Sequence, residues 1–224
     1  MFDDVAPRYD LLNRLLSFGI DRMWRRAAIR LLRAEAPARI LDIATGTADL
    51  AIAAAALGPE RIVGVDLSEQ MLARGRIKVQ RLGLGGTITL ERGDAARLSF
   101  PDASFDAVLV GFGVRNFEHL QDGIREMRRV LRPGGVLVIL EFSRPGVLLI
   151  RKLYEVYSDV VLPFVGRLLS GNSGAYKYLP ASVKVFPSGE RFLDELRQAG
   201  YVDLLCKPLT FGVVSLYRGR NPGD

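Results

Sequence analysis

The chain has 224 residues, of which 49% are hydrophobic; this is enough for one sizeable core and, without a linker-like segment, one domain. One cysteine and one histidine exclude a disulfide framework and a Cys/His metal cluster, so we expect no metal and a reducing, cytoplasmic setting. The net charge of +6 leaves three classes of partner open: nucleic acid, an anionic membrane surface or an acidic small molecule.

The first 37 residues are predicted to be helical. A helix over 9–18 ends at Gly19, and a second helix runs from a cap at Asp21 to Ala34. The basic residues of the second helix recur at helical spacing, which is typical of a solvated face or of contact with anionic lipid: Arg22, Arg26, Arg30 and Arg33.

Strands and helices then alternate through the middle of the chain. Apolar segments predict strands over 39–43, 61–66, 87–91, 105–111 and 136–142. Helices are predicted between them over 47–57, 68–82 and 118–131, the second of them capped by Ser68. Strands that are apolar on both faces and separated by helices predict a parallel sheet with helices on each side.

The alternation pauses after residue 143. The apolar stretch 147–169 contains residues that a membrane-spanning helix rarely tolerates, so we expect no transmembrane segment: Arg151, Lys152, Glu155, Asp159 and Pro163. A helix over 188–199 and strands over 201–206 and 210–217 follow. The connection 207–209 is too short for a parallel crossover, so we predict that the final strand is antiparallel.

The turn after the first predicted strand is the first candidate for a binding site. Ligands of an open parallel sheet lie beyond the carboxyl ends of its strands, and residues 40–50 read ILDIATGTADL there. A dinucleotide fingerprint would require glycine where Ala44 and Asp49 stand, and no phosphate-binding loop follows. The two acids of this turn, Asp42 and Asp49, favour a ligand with positive charge.

Acids also follow the next two strands. Asp66 ends the second strand, about where a carboxylate accepts both ribose hydroxyls of an adenosine, and Asp94 follows the third, within reach of an adenine amine. Each acid alone is more often a helix cap or a solvated loop residue. Three acids at successive strand ends predict a site for a positively charged adenosine, which is S-adenosylmethionine.

Five segments carry a resemblance to a known family: YDLLNRLLSFGIDRMWRR, LDIATGTADL, VGFGVRNF, RVLRPGGVLVILEFSRP and YKYLPASVKVFP. Together, from Tyr9 to Arg218, they resemble the ubiquinone/menaquinone C-methyltransferase family. The resemblance implies an α/β, Rossmann-like class I S-adenosylmethionine-dependent methyltransferase fold. Its seven-stranded, mostly parallel sheet has an antiparallel last strand, and the fold carries a helical N-terminal extension and a helical lid insertion.

We accordingly predict a single methyltransferase domain over 1–224. Its parts are the N-terminal helices (1–37), a cofactor-binding core (38–142), a lid and substrate region (143–187), and a C-terminal helix and strands (188–218).

The resemblance places Thr47, Asp66, Asp94 and Ala95 on the cofactor contacts of the family. The complete predicted cofactor site is Asp42, Gly46, Thr47, Asp66, Leu67, Asp94, Ala95 and Gly111. Two positions depart from the family pattern, because Gly111 stands where many relatives have serine and Ala48 where glycine is frequent.

The implied reaction methylates a ring carbon of a polyprenylated quinol. Holding a quinol hydroxyl as a phenolate at neutral pH costs about 4 kcal/mol if its pKa is near ~10. A guanidinium at ~4 Å offers about the same at an effective dielectric near 20. Arg115 is therefore predicted to be catalytic, with Asn116 as an orienting donor and Tyr9 closing over the site. Pairing of Arg115 with Glu118 or Asp122 is the alternative.

Two further expectations concern proton transfer and the isoprenoid tail. His119 is expected on the surface, and the general base is left unassigned. The lid region is the candidate cover for the tail, although the same helix could simply pack on the sheet. The predicted substrate contacts are Tyr154, Tyr157, Tyr176 and Tyr178.

Two rival functions were weighed. A methyltransferase that acts on amines of RNA or protein would carry an Asn/Asp-Pro-Pro-aromatic motif where Gly111-Phe112-Gly113-Val114 stands. RNA carbon methylation would need a cysteine nucleophile, and Cys206 is misplaced for that role. No nucleic-acid partner is therefore expected. A non-catalytic, membrane-associated nucleoside-binding protein is the other rival. The substrate favours a cytoplasmic protein bound peripherally to the membrane. The compact, insert-free chain resembles the menaquinone members of the family, and this resemblance favours a naphthoquinol over a benzoquinol. Tail length and the formation of a homodimer stay open.

Overall fold

The structure is a computed structural model that describes residues 17, 19–156 and 181–222, with the side chains of residues 149, 153 and 155 outside the description. The strands are β1 Arg39–Ile43, β2 Arg61–Asp66, β3 Ile88–Arg92, β4 Phe105–Gly111, β5 Leu131–Phe142, β6 Val202–Leu209 and β7 Val214–Arg220. The helices are α1 Asp21–Leu32, α2 Asp49–Ala54, α3 Glu69–Arg81, α4 Leu120–Val130, α5 Leu148–Val156 and α6 Glu190–Gln198.

The seven strands form one sheet in the order β3-β2-β1-β4-β5-β7-β6. β1 to β5 pair in parallel, and β7 is antiparallel to both β5 and β6. The predicted fold and its antiparallel last strand are therefore confirmed. The strand order reverses direction at β1 and β4, so the connections that leave these neighbouring strands diverge and open a crevice at their carboxyl ends.

Two apolar layers cover the sheet because alternate residues of each strand point to opposite faces. On one face Leu41 and Val110 pack with residues of α4 and α6. On the other face Ile40 and Leu109 pack with residues of α1, α2 and α3. The central strands are consequently buried along almost their whole length, which explains why their continuous apolar runs marked their bounds.

The strand bounds agree with prediction at β1, β2 and β4 and differ at β3, β5, β6 and β7. β3 lies one residue later than predicted, and β5 begins directly after α4, so the Pro133-Gly134-Gly135 break lies within a strand whose register is irregular there. β6 continues through Pro208, and the turn falls at Thr210–Gly212 instead of 207–209. Proline is tolerated at this position because β6 is an edge strand.

The helix starts show one confirmed cap and two corrections. The Ser68 hydroxyl accepts a hydrogen bond from the Met71 amide at 3.2 Å, as a cap should. Asp21 is not a cap, because Ile20 holds that position and the Asp21 carboxylate accepts from Ser17 and Arg25 instead. α2 begins at Asp49 and not at Thr47, because Ala48 is left-handed at φ 66 and ends the preceding turn.

Other expectations meet the limits of the described residues. The predicted helix over 9–18 lies outside them, and so does most of the 143–187 lid region, of which α5 is described. The division into four parts stays a prediction. Over residues 19–156 and 181–222, no helix has the length and hydropathy that a bilayer crossing requires.

Candidate active site

A cavity of about 300 Å³ opens at the carboxyl ends of β1, β2 and β4, a volume typical of a small-molecule site. Its lining comes from the turns that follow four neighbouring strands and from the start of α3. These residues are Ile43, Ala44, Gly46, Asp66, Leu67, Ser68, Met71, Gly93, Asp94, Ala95, Ala96, Gly111, Phe112, Gly113, Asn116, Phe117, Glu118 and His119.

The turn after β1 is hydrogen-bonded to the end of β2. One Asp66 carboxylate oxygen accepts from the Gly46 amide at 2.8 Å, and the other accepts from the Ser68 amide at 2.9 Å. Ala44 and Gly46 are both left-handed, at φ 53 and 56, which curls the backbone away from the cavity. Asp66 thus ties the end of β2 to the turn after β1 at the wall of the cavity.

Glycine lets the loop after β4 press against the same turn. A Cβ on Gly113 would lie 2.4 Å from the Ala44 Cβ, a distance that no real contact shows. The two turns therefore close on each other without a gap, and they join the part of the cavity after β1 to the part after β4.

The charge of the cavity has one sign. Its lining contains three carboxylates, on Asp66, Asp94 and Glu118, and no lysine or arginine among the described residues. The one histidine of the chain, His119, also lines the cavity. Carboxylates that focus a negative potential in a concave site favour a cationic ligand over a phosphorylated one.

Comparison with known proteins agrees with this geometry. The model of the ubiE/COQ5 methyltransferase family matches residues 1–221. The chain belongs to this family. A demethylmenaquinone methyltransferase of Bacteroides fragilis is 47% identical over 218 residues, which are 97% of this chain and 89% of that protein. The demethylmenaquinone methyltransferase of Thermus thermophilus is 48% identical over 223 residues, 99% of this chain and 100% of that protein.

A solved structure supports the fold alone. A protein of Thermotoga maritima, described as an S-adenosylmethionine-dependent methyltransferase and possible histamine N-methyltransferase, superposes with a TM-score of 0.65 at 20% identity. The match covers 99% of this chain and 100% of that one. As a ubiE/COQ5 methyltransferase, the chain is an S-adenosylmethionine-dependent enzyme of quinone biosynthesis.

Six of the predicted cofactor residues of this ubiE/COQ5 methyltransferase line the cavity: Gly46, Asp66, Leu67, Asp94, Ala95 and Gly111. Asp94 accepts from the Ala96 amide at 2.9 Å and is otherwise on the open side of the site. At Gly111 a serine Cβ would lie 3.0 Å from the Leu50 side chain, so glycine leaves this wall slightly wider.

The other two predicted cofactor residues lie behind the turn. Asp42 is fully buried, and one of its oxygens accepts from the Thr45 hydroxyl at 2.6 Å and the Ala51 amide at 3.0 Å. Its other oxygen has no hydrogen-bond partner in the described part of the chain. Burial raises the pKa of Asp42 to about 7. Thr47 is also buried, and its hydroxyl accepts from Lys78 at 2.9 Å.

Asp42 stays a predicted cofactor residue, and neither it nor Asp49 is among the described residues that line the cavity. Asp42 ties the turn to the start of α2, and Asp49 forms ion pairs with Arg25 and Lys78. The carboxylates that do reach the cavity are those of Asp66, Asp94 and Glu118. The sequence pattern located the turn but did not show which carboxylates point inward.

Arg115 lies in the predicted loop, but its side chain does not line the cavity. Its guanidinium forms a 2.7 Å ion pair with Glu141, and both side chains are buried. It also donates to the Phe112 carbonyl, and Glu141 accepts from the Arg115 amide at 3.2 Å. The predicted alternatives are corrected as well, since Asp122 pairs with Arg125 and no described ion pair joins Arg115 to Glu118.

Aromatic side chains surround this ion pair. The Phe112 ring lies 4.7 Å from the Phe142 ring and 6.0 Å from the Trp24 indole, and the Arg115 guanidinium lies 5.4 Å above Phe142. Phe112 itself is left-handed at φ 59, a backbone conformation that bulky residues rarely adopt. Phe112 is also one of the residues that line the cavity.

Asn116 lines the cavity as predicted, and several residues were missed. Phe112, Phe117 and Glu141 lie within the segments VGFGVRNF and RVLRPGGVLVILEFSRP, but the sequence predicted no role for them, and Met71 had no signal in the sequence. His119 is exposed as expected, yet it forms part of the rim. No cluster of candidate metal ligands occurs in the described part of the chain.

The predicted substrate tyrosines are largely untested. Tyr154 lies partly buried on α5, while Tyr9, Tyr157, Tyr176 and Tyr178 lie outside the described residues. On α1 the apolar residues Trp24, Ala28, Ile29 and Leu32 are buried in the core. The arginine stripe of α1 is therefore an exposed face of a packed helix, and α1 has no free apolar face to lay on a bilayer.

Proposed function

We propose that the chain transfers a methyl group to a ring carbon of a polyprenylated quinol, with demethylmenaquinol as the preferred substrate. S-adenosylmethionine supplies the methyl group already activated on a sulfonium. The observation that carries the proposal is the pairing of an acidic half-cavity at β1 to β3 with an aromatic wall after β4. The names of the two demethylmenaquinone methyltransferases, at 47% and 48% identity, support the choice of substrate.

The acidic half is proposed to bind the donor. Asp66 is proposed to accept the two ribose hydroxyls, because it lines the cavity at the end of β2. Asp94 and the Ala95 backbone stand where an adenine edge would lie, with Leu67 and Met71 as apolar contacts. A Cβ on Gly46 would meet no protein atom within 4 Å, so the absence of a side chain there leaves space for the ligand. The backbone at φ 56 also favours glycine at this position.

The aromatic half is proposed to orient the quinol ring. Phe112 and Phe117 offer ring faces, and the Asn116 amide supplies a donor for a quinol oxygen. Two reactants held in line can remove roughly 7–11 kcal/mol of the barrier. Alignment is therefore the main contribution that these residues make.

Arg115 is proposed to act indirectly, through the residues of the aromatic half of the cavity. Its charge is compensated by Glu141, so it offers a substrate phenolate less than an unpaired guanidinium would. Its buried Nε has no hydrogen-bond partner among the described residues, which leaves one donor for a substrate oxygen if the wall shifts. We assign Arg115 the role of holding Phe112 and Asn116 in place, with the general base unassigned.

Three further elements belong to the proposal. The tail of the quinol lies under the lid region, with Tyr154, Tyr157, Tyr176 and Tyr178 as candidate contacts and Tyr9 closing over the site. The protein works in the cytoplasm at the membrane surface, where its substrate is dissolved. Self-association as a homodimer is the third element of the proposal.

The test is methyl transfer by the purified chain to two quinols of equal tail length, a demethylated naphthoquinol and the corresponding benzoquinol. We expect the naphthoquinol to gain one methyl group, detected by mass spectrometry, in proportion to the S-adenosylmethionine consumed. A strain that lacks the protein should accumulate the unmethylated quinone. Transfer to RNA with neither quinol methylated would refute the proposal.

A further inference from the structure

Four of the ten exposed large apolar side chains among the described residues lie in segments that hydrogen bonds join together. Val147, Leu148, Val185 and Phe211 are 59%, 61%, 81% and 76% exposed. We call this set the apolar rim. All four lie in segments at the carboxyl edge of the sheet, the edge that opens into the cavity, because 147–148 follow β5 and 211 follows β6.

Hydrogen bonds hold the three segments of the apolar rim together. The Ser143 hydroxyl donates to the Gly212 carbonyl at 2.8 Å, and the Ser143 amide donates to the Val213 carbonyl at 2.9 Å. The Arg144 guanidinium donates to the Lys184 carbonyl, which brings residues 184 and 185 to the same place. These bonds bring the three segments that carry the apolar rim, 143–148, 184–185 and 211–213, to the same part of the fold.

The turn that carries Phe211 is built to project it outward. Thr210, Phe211 and Gly212 are all left-handed, at φ 46, 57 and 88. The Thr210 hydroxyl accepts from the Trp24 indole at 2.8 Å, which anchors the turn to α1. A strained backbone persists where its surroundings fix it and often marks a binding element, and here it holds a phenylalanine in solvent.

Charge around the apolar rim is of one sign. Arg144, Arg151, Lys152 and Lys184 are exposed beside it. Residues 143–152, 181–185 and 210–213, which form the rim and its flanks, contain no aspartate or glutamate. Apolar side chains within a basic margin are the composition that binds an anionic lipid surface, because both insertion and electrostatic attraction then favour contact.

We propose that the apolar rim docks this chain on an anionic lipid bilayer, with Phe211 and Leu148 inserted among the headgroups. The inference rests on the proposed function in one respect: a substrate with an isoprenoid tail would enter from the bilayer at the same edge as the cavity. Docking by the rim would bring the opening within reach of the tail, while the basic stripe of α1 stays a solvated face.

The test measures binding of the full chain to vesicles of phosphatidylcholine with and without phosphatidylglycerol, by flotation. We expect binding to the anionic vesicles that weakens with salt. Phe211→Ser and Leu148→Ser should each bind about tenfold or more weakly. Leu82→Ser is the matched control, because Leu82 is 58% exposed at the far end of α3, and it should bind as the wild type does.

Three outcomes would overturn the proposal. One is wild-type binding that is absent or equal on neutral vesicles. Another is a dimer in sedimentation velocity that Phe211→Ser dissociates, since the rim would then be an interface between copies. The third is a fall in thermal midpoint for Phe211→Ser and Leu148→Ser well beyond that of Leu82→Ser, since the rim would then be covered within the chain.

Vesicle binding needs no substrate, so failure of the proposed function leaves this result intact. Conversely, methyl transfer to a soluble quinol with a short tail should be unchanged in Phe211→Ser, because the rim does not line the cavity. Loss of activity on the soluble quinol with vesicle binding retained would count against the rim as a surface separate from the active site.

Discussion

The two halves of the cavity are built by different means. The half after β1 to β3 is made of backbone turns and small residues, and its one organising side chain, Asp66, bonds to two amides. The half after β4 and β5 is made of aromatic rings around the buried pair Arg115–Glu141. The first half should therefore depend on its ligand contacts, and the second on its internal packing and charge balance.

The largest effect is expected from separating the buried pair of the aromatic half. Removing one partner of a buried ion pair leaves an uncompensated charge and costs about 3–5 kcal/mol. Glu141→Ala should lower the free energy of unfolding by about this amount in denaturant titrations. The exposed pair Arg76–Glu69 is the control, and Glu69→Ala should cost less than about 1 kcal/mol.

The same pair separates two roles for Arg115. If it holds the wall, Arg115→Ala should cut turnover strongly while the dissociation constant for S-adenosylmethionine changes little. Glu141→Gln should also lower turnover. If Arg115 acted instead as a charge on the phenolate, Glu141→Gln would raise activity at low pH, and that result would contradict the role as a support.

The next effect tests the acidic half. Asp66→Ala should weaken S-adenosylmethionine binding about 100-fold, since two hydrogen bonds to a charged acceptor are each worth about 1.5 kcal/mol or more. Isothermal titration measures it, with Asp66→Asn as the shape-matched comparison. An unchanged dissociation constant would show that the ribose lies elsewhere and that the two halves do not divide the work as proposed.

The smallest effect lies beneath the acidic half, at Asp42. Its folded pKa of about 7 exceeds the ordinary value of 3.8 because burial disfavours the carboxylate. The folded state therefore holds a proton that the unfolded state releases, so the stability that Asp42 contributes is present below about pH 4 and is lost as the pH rises through about 7.

Asp42→Asn should remove this loss of stability with rising pH. The amide keeps an oxygen for Thr45 and Ala51 and places a neutral group where the other carboxylate oxygen has no described partner. Relative to the wild type, the variant should gain on the order of 2 kcal/mol of unfolding free energy between about pH 5 and about pH 8. A difference that is constant over this range would contradict the raised pKa.

The sheet was predictable because its central strands are apolar on both faces. β1, β2 and β4 begin and end where their apolar runs do. β6 has only exposed and half-buried residues, without an alternating pattern, so the sequence predicts a turn at Pro208 although the strand continues through it. Edge strands carry a weaker pattern because one side has no neighbour to bury them.

The cavity was predictable in position but not in the direction of its side chains. Asp66 and Asp94 follow directly from their places at strand ends. The partner of Arg115 could not be found locally, because Glu141 lies 26 residues away on the next strand. The contacts of Asp42 and Asp49 with helices, through the Ala51 amide and through Arg25 and Lys78, could not be found from the strand-end pattern.

The position of β7 has a consequence for how the molecule is made. β7 comes later in the chain than every other strand of the sheet, yet it pairs with β5 along seven residues, from Val136 to Phe142. A growing polypeptide on the ribosome therefore carries β5 with a bare hydrogen-bonding edge until almost all of the described sequence has been synthesised. Until β7 pairs with it, the edge of β5 that includes Glu141 and Phe142 has unpaired backbone groups. Such an edge can pair with other chains, and nascent chains that expose one commonly need chaperones.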